Sequence, residues 1–134
     1  NDYKVTIETN ASLNIDFKKD YQKKVIFSMS VKLSNSLEPL KKRVNAQTLE
    51  KIVKNTDESY LKFVISKEFI NKAKNEIESI SSIIPSCEIY LMPMGGRSEE
   101  YSLNVKDVAE ACMARGWRFT PRLHISLFGN AWGT

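Results

Sequence analysis

Only two cysteines and one histidine occur in the 134 residues, and their scarcity argues against several chemistries at once. Cys87 and Cys112 stand alone and far apart, with no CxxC pair and no Cys/His group at metal-ligand spacing, which argues against a zinc site. In a reducing compartment both read most simply as small, partly buried residues. His124 is the single histidine and no GxSxG elbow precedes it, so a Ser-His-acid triad lacks its usual setting. The five glycines form neither a GxGxxG dinucleotide fingerprint nor a GxxxxGK(S/T) phosphate loop, and Gly95-Gly96 alone is a weak cradle. No apolar run approaches the roughly 18–20 residues of a membrane span, and no secretory signal opens the chain. The expected setting is cytoplasmic, with no membrane partner.

What is abundant is lysine. The net charge is +4, and the densest clusters are Lys18-Lys19, Lys23-Lys24 and Lys41-Lys42-Arg43. These clusters lack the interleaved aromatics of a stacking platform, and no RRM or KH signature accompanies them. They read as a solvated face, and nucleic acid is not an expected partner. An RNA- or partner-binding domain that uses this surface stays open as an alternative, with steep salt dependence as its mark.

Apolar runs of strand length alternate with helix-period segments. Strands are expected at residues 4–9, 24–30, 60–65 and 88–94, the first of them buried, and a last one at 117–127 interrupted by Pro121. Residues 10–21 are polar and turn-rich, with Leu13, Ile15 and Phe17 alternating, and 34–45 reads as a loop with a short helical turn. Helices are expected over 48–55, from an N-cap at Ser66 to Pro85, and over 104–114 with Gly116 as C-cap. Strands separated by helices predict parallel βαβ units, and hence an α/β fold.

In parallel α/β sheets ligands bind at the carboxyl ends of the strands. A site would therefore be lined from residues 8–12, 28–32, 65–66, 92–96 and 124–126, which are richer in small and polar side chains than the strands before them. Glu99-Glu100 is not a candidate acid/base pair, since adjacent helical residues point in different directions. A solvated helix start explains it.

Taken in order, these segments resemble the later part of the 7-carboxy-7-deazaguanine synthases. Glu8-Thr9-Asn10-Ala11-Ser12 is similar to that family's E-T-(N/S)-G-T, and Ser30-Val31-Lys32 to its S-P-K. Leu61-Lys62-Phe63-Val64 resembles its K-F-V strand, and Tyr90-Leu91-Met92-Pro93-Met94 its L-Q-P-M. Residues 121–129 (PRLHISLFG), with Asn130 and Gly133, resemble its closing P-x-L-H-x-x-x-(W/F)-G-N…G. Each piece is short; their shared order along nearly the whole chain carries the resemblance.

The resemblance implies the C-terminal portion of a partial (β/α) barrel of the radical S-adenosylmethionine (SAM) type, with mostly parallel strands. It implies a lyase that converts 6-carboxy-5,6,7,8-tetrahydropterin to 7-carboxy-7-deazaguanine, with SAM, a 4Fe-4S cluster and Mg2+ in the complete protein. It assigns substrate contacts to Thr9 and His124, the latter in the tail that closes the substrate end. SAM contacts fall to Ala11, Ser30, Lys32, Met92, Pro93 and Met94, several of them through backbone atoms. Bland readings stand beside these: Thr9 and Ser30 as turn hydroxyls, Met92 and Met94 as core filling, Lys32 as half of an ion pair with a nearby Glu.

Three positions depart from the family pattern: Ala11 replaces a glycine, Val31 a proline and Met92 a glutamine. The alanine matters if that position has positive φ, and the lost glutamine contact bears on substrate identity. The three cluster cysteines of the family have no counterpart in Cys87 or Cys112. Residues 1–134 are therefore expected to form a single but incomplete domain, with further sequence upstream of Asn1. A cluster-less SAM- or nucleotide-binding module is the alternative. Open strand edges in such a piece would favour aggregation or a homodimer.

Overall fold

The structure is a computed structural model and describes residues 3–131; Asn1 and Gly133, both used in the sequence reading, lie outside them. Its frame is five parallel strands: β1 (Thr6–Thr9), β2 (Ile26–Met29), β3 (Ser59–Ile65), β4 (Glu88–Pro93) and β5 (Arg118–Phe119). They lie side by side in chain order, β1-β2-β3-β4-β5. Sequential order with every pair parallel is the winding of a barrel segment, since a doubly wound sheet reverses direction at a switch point. The fold is α/β, a partial β/α architecture, as the alternation of patterns predicts.

Four α-helices lie between strands, α1 (Leu40–Arg43) and α2 (Ala46–Asn55) after β2, α3 (Ile70–Ser81) after β3 and α4 (Ser98–Arg115) after β4, and α5 (Leu123–Phe128) follows β5. One face of the sheet meets α2, α3 and α4. Phe27 and Met29, Leu61, Phe63 and Ile65, and Leu91 alternate onto that face and share one core with Leu49, Ile52, Ala73, Ile77, Ile80, Val108 and Cys112. Phe63, Leu61 and Leu91 are wholly buried, and each such side chain contributes roughly 1.5–3 kcal/mol by leaving water. The opposite face carries Ser28, Tyr60, Lys62, Val64, Tyr90 and Met92, the intervening residues of the same strands.

Local chemistry explains where the elements start and stop. Asn45 caps α2, its side-chain oxygen accepting from the Thr48 amide at 3.1 Å, while its amide nitrogen donates to the Ser12 carbonyl at 3.1 Å. Thr48 reaches back to Asn14 at 2.9 Å, so the polar loop after β1 is held by the helix that follows β2. Within that loop Ile15 and Phe17 pack on the core, whereas Leu13 is exposed. The turn expected at 34–45 resolves into a 3-10 turn (Ser34–Ser36) and α1. Gly116 closes α4 with φ 67, as its position predicts.

Four expectations need correction. The last strand is not 117–127: Pro121 offers no ladder N–H, β5 ends at Phe119, and the following residues turn into α5. Leu123, Ile125 and Leu127 suit either period, but only Ile125 is buried, so the segment has no sheet face to fill. The helix placed at 104–114 begins six residues earlier, and Glu99 and Glu100 form its first turn, where the helix dipole favours carboxylates. Ser66 does not cap α3 through its side chain; the Asn104 side chain accepts from the Lys67 amide at 2.8 Å instead, and a 3-10 turn precedes the helix. β1 is not buried. Thr6, Ile7 and Glu8 are exposed because β1 is an edge strand paired only with β2.

Candidate functional site

On the face away from α2, α3 and α4, two adjoining cavities of about 250 and 590 Å³ open at the carboxyl ends of β2, β3 and β4. Ser30, Lys32, Lys62, Val64 and Arg122 line both. Met94 is among the further residues lining the smaller, and Glu8, Met92 and His124 among those lining the larger. A roomier groove of about 680 Å³ lies on the outer side between α1 and α3, with Leu40, Val44, Ile80 and Ile83 among its lining residues. The strand-end cavities are the better site, because loops there present many polar groups at the one edge where parallel strands leave them free.

Five of the eight residues singled out in the sequence therefore meet: Ser30, Lys32, Met92, Met94 and His124. Three do not line the cavities. The Thr9 hydroxyl accepts from the Ala11 amide at 3.1 Å, a local turn contact. Ala11 is 1% exposed and belongs to the core. Its φ of 54 is left-handed, the conformation for which glycine is suited and alanine is strained. Pro93 is buried at the last ladder position of β4, opposite Ile65. His124 sits on α5, exposed, rather than on a strand. Lys32 is exposed as well, and the ion pair considered for it belongs to Lys62.

The loops around the cavities are fixed by three polar residues. Arg43, 8% exposed, donates to the Glu38 carbonyl (2.8 Å), the Lys32 carbonyl (3.0 Å) and the Glu76 carboxylate (3.3 Å). Glu76 also accepts from the Ser34 amide at 2.8 Å and from its hydroxyl, so α1 and α3 together grip the loop after β2. Burial works to raise the Glu76 pKa; the Ser34 bonds and Arg43 outweigh it and hold the carboxyl below its ordinary value. Asn104 does the same for β4, donating to the Met94 carbonyl at 2.9 Å. Gly95 is needed there: at φ 142, an added Cβ would come within 2.4 Å of the Tyr101 amide nitrogen.

Lys62 and Arg122 were missed by sequence reasoning. Lys62 pairs with Glu8 across β2 and is nearly buried. Arg122 donates through Nη1 to the Gly95 carbonyl at 3.0 Å and through Nε to the Met92 sulfur at 3.3 Å, while its own amide donates to the Tyr101 hydroxyl at 3.0 Å. The signal for Lys62 was visible: a lysine inside Tyr60–Ile65, in a parallel strand where apolar residues are the rule. Farther toward the amino ends, the Tyr60 and Tyr90 rings pack tilted with centroids 4.6 Å apart, and Glu88 accepts from Arg118 at 2.8 Å. The Arg118 hydrogen bond lowers the Glu88 pKa, whereas burial and that carboxylate raise the Tyr90 pKa.

Comparison with known proteins bears on what this arrangement does. The chain is 32% identical over 80 residues to a protein from Pyrobaculum aerophilum, covering 56% of this chain and 33% of the relative. It is 28% identical over an alignment of 152 positions to one from Halobacterium salinarum, covering 96% of this chain and 56% of the relative. Both relatives are 7-carboxy-7-deazaguanine synthases. The chain is similar to part of each, and spans between a third and somewhat over half of their length. No family model and no solved structure matches it.

The residues fit the groups such a protein would hold unequally. The cavities offer the cations Lys32, Lys62 and Arg122, the hydroxyls of Ser30 and Ser36 and the apolar side chains of Val64, Met92 and Met94, a lining suited to a ligand that carries an anionic group beside apolar surface. Among the described residues, no three His, Cys, Asp or Glu side chains stand close enough to hold a metal. Cys87 and Cys112 are free and buried, and burial raises the pKa of both thiols, which makes them poor ligands. An iron–sulfur cluster does not fit the described part of this chain. No helix among the described residues is long and apolar enough to cross a membrane.

Proposed function

We propose that this chain is the C-terminal portion of a radical SAM lyase of the 7-deazaguanine pathway, an incomplete domain that contributes the SAM and pterin contacts of a cytoplasmic enzyme. The convergence of Ser30, Lys32, Met92, Met94 and His124 on one pair of cavities supports the reading best. The sequence resemblance drew these residues from three separate segments, with no reference to their spacing in three dimensions.

In this reading Ser30 and Lys32 hold SAM by its ribose or its carboxylate, and the backbone from Met92 to Met94 passes its adenosyl group. His124 closes the pterin end from α5. When bound, the cluster supplies the electron that cleaves SAM; its ligands would come from residues other than those described. The chain's own residues bind, orient and exclude water, with Asn104, Arg43 and Glu76 keeping the strand-end loops in place. Thr9 and Ala11 act through the turn they form rather than by side-chain contact.

The test is anaerobic turnover by the complete encoded polypeptide, reconstituted with iron and sulfide and given SAM, Mg2+ and 6-carboxy-5,6,7,8-tetrahydropterin. Formation of 7-carboxy-7-deazaguanine with release of ammonia is expected. Saturable SAM binding without iron uptake or turnover would instead indicate a cluster-less nucleotide-binding module.

A further inference from the structure

Charge in the cavities is one-sided. Lys32, Lys62 and Arg122 line both, and Glu8 is the single carboxylate among the residues lining either. Lys62 has its side chain only 9% exposed, so its ammonium needs an anion at all times. Its partner is poorly placed for permanence. Glu8 is 69% exposed on the open edge strand, reaches Lys62 across β2, and would be well solvated by water on leaving. Arg122 has two of its side-chain nitrogens engaged, and Nη2 has no hydrogen-bond partner among the described residues. On the same sheet face the Ser28 hydroxyl, opposite Glu8 in register, is fully buried and unpartnered. A buried donor without an acceptor is rare in a finished structure.

From these groups we infer that Lys62 and Arg122 form a carboxylate-binding subsite in which Glu8 is a placeholder. An incoming carboxylate takes the Glu8 position on Lys62 and accepts from Arg122 Nη2, while Glu8 swings into solvent. The exchange conserves charge pairing at Lys62 and adds a second cation, so the ligand's carboxylate is held more tightly than Glu8 was. The inference rests on the reading that the cavities take SAM and a carboxypterin. Both carry a carboxylate, and either could be the occupant.

Calorimetric titration of the chain with SAM, decarboxylated SAM, 6-carboxypterin and pterin tests this. In at least one pair, the carboxylated member should bind about tenfold more tightly, the scale of one charge-assisted hydrogen-bonded contact. The pair showing the difference identifies the occupant. Lys62→Met and Arg122→Gln should each abolish that difference, so that the carboxylated member binds no more tightly than its carboxylate-free counterpart. Glu8→Gln keeps Lys62 in place and alters only an exposed group, so it remains informative even if Lys62→Met fails to fold; it should tighten the carboxylated ligand severalfold. No carboxylate dependence in either pair, or an unaltered affinity in Glu8→Gln, would overturn the subsite. Citrate binding through Lys62 as tightly as SAM or 6-carboxypterin would leave the subsite standing and remove the SAM and pterin reading.

Discussion

Removing the Glu76 carboxylate would strand Arg43, a nearly buried cation whose other contacts are neutral carbonyls. Breaking such a pair is more damaging than the pair's own net worth, because the remaining charge keeps its desolvation cost. Glu76→Ala should therefore destabilise the fold by about 3 kcal/mol in urea unfolding. The pH dependence follows from the same carboxyl. Its folded pKa lies below the ordinary glutamate value of 4.5, so its stabilisation is fully present above that value and is lost as pH falls through the folded pKa. Comparing urea midpoints between pH 6 and pH 3 should show a smaller acid loss in Glu76→Gln than in the parent chain. At this scale Ser30, Lys32, Met92, Met94 and His124 were legible from local sequence. Arg43 and Glu76 were not, because all their partners but the Glu38 carbonyl lie 11 to 42 residues away and no periodicity marks them.

The turn after β4 shows how an element places a site. Met94 reaches the cavity because Gly95 lets the chain pass against Tyr101 and because Asn104 holds the Met94 carbonyl from the first turns of α4. Gly95→Ala would press a methyl group onto backbone atoms that cannot rotate away, at a φ that side chains resist. It should cost more than about 1 kcal/mol in thermal or urea unfolding. The same substitution should weaken SAM binding, since the Gly95 carbonyl anchors Arg122. Element types were readable where period and punctuation agreed, as in α2, α3 and β3. They failed at 117–127, where Leu123, Ile125 and Leu127 satisfy both periods, and where Pro121 and the lack of a sheet partner past Phe119 decide for a helix. The buried reading of β1 failed for a related reason: an apolar run indicates strand type, whereas exposure depends on which strands come to lie beside it.

For the whole molecule, parallel pairing was implied by the alternation of elements, since parallel neighbours need crossovers; the chain-order arrangement β1-β2-β3-β4-β5 was not, because a doubly wound sheet alternates in the same way. Nor was what stands on the far side of β1. Its backbone edge and the exposed Val5 and Ile7 leave a pairing surface of the kind that proteins usually cover or charge. Sedimentation velocity of the 134-residue chain should show dimers or larger species that grow with concentration, and Ile7→Lys should reduce them. A monomer at all concentrations would remove the incomplete-sheet interpretation.

The central claim is that the carboxyl ends of β2 to β4 form a SAM site. Its most direct test is amide chemical-shift mapping during titration with SAM. The account predicts saturable shifts at Ser30, Lys32, Val64, Met92, Met94 and Arg122, with none in the α1–α3 groove around Leu40 and Ile83. Shifts confined to that groove, or none at saturating SAM, would contradict it.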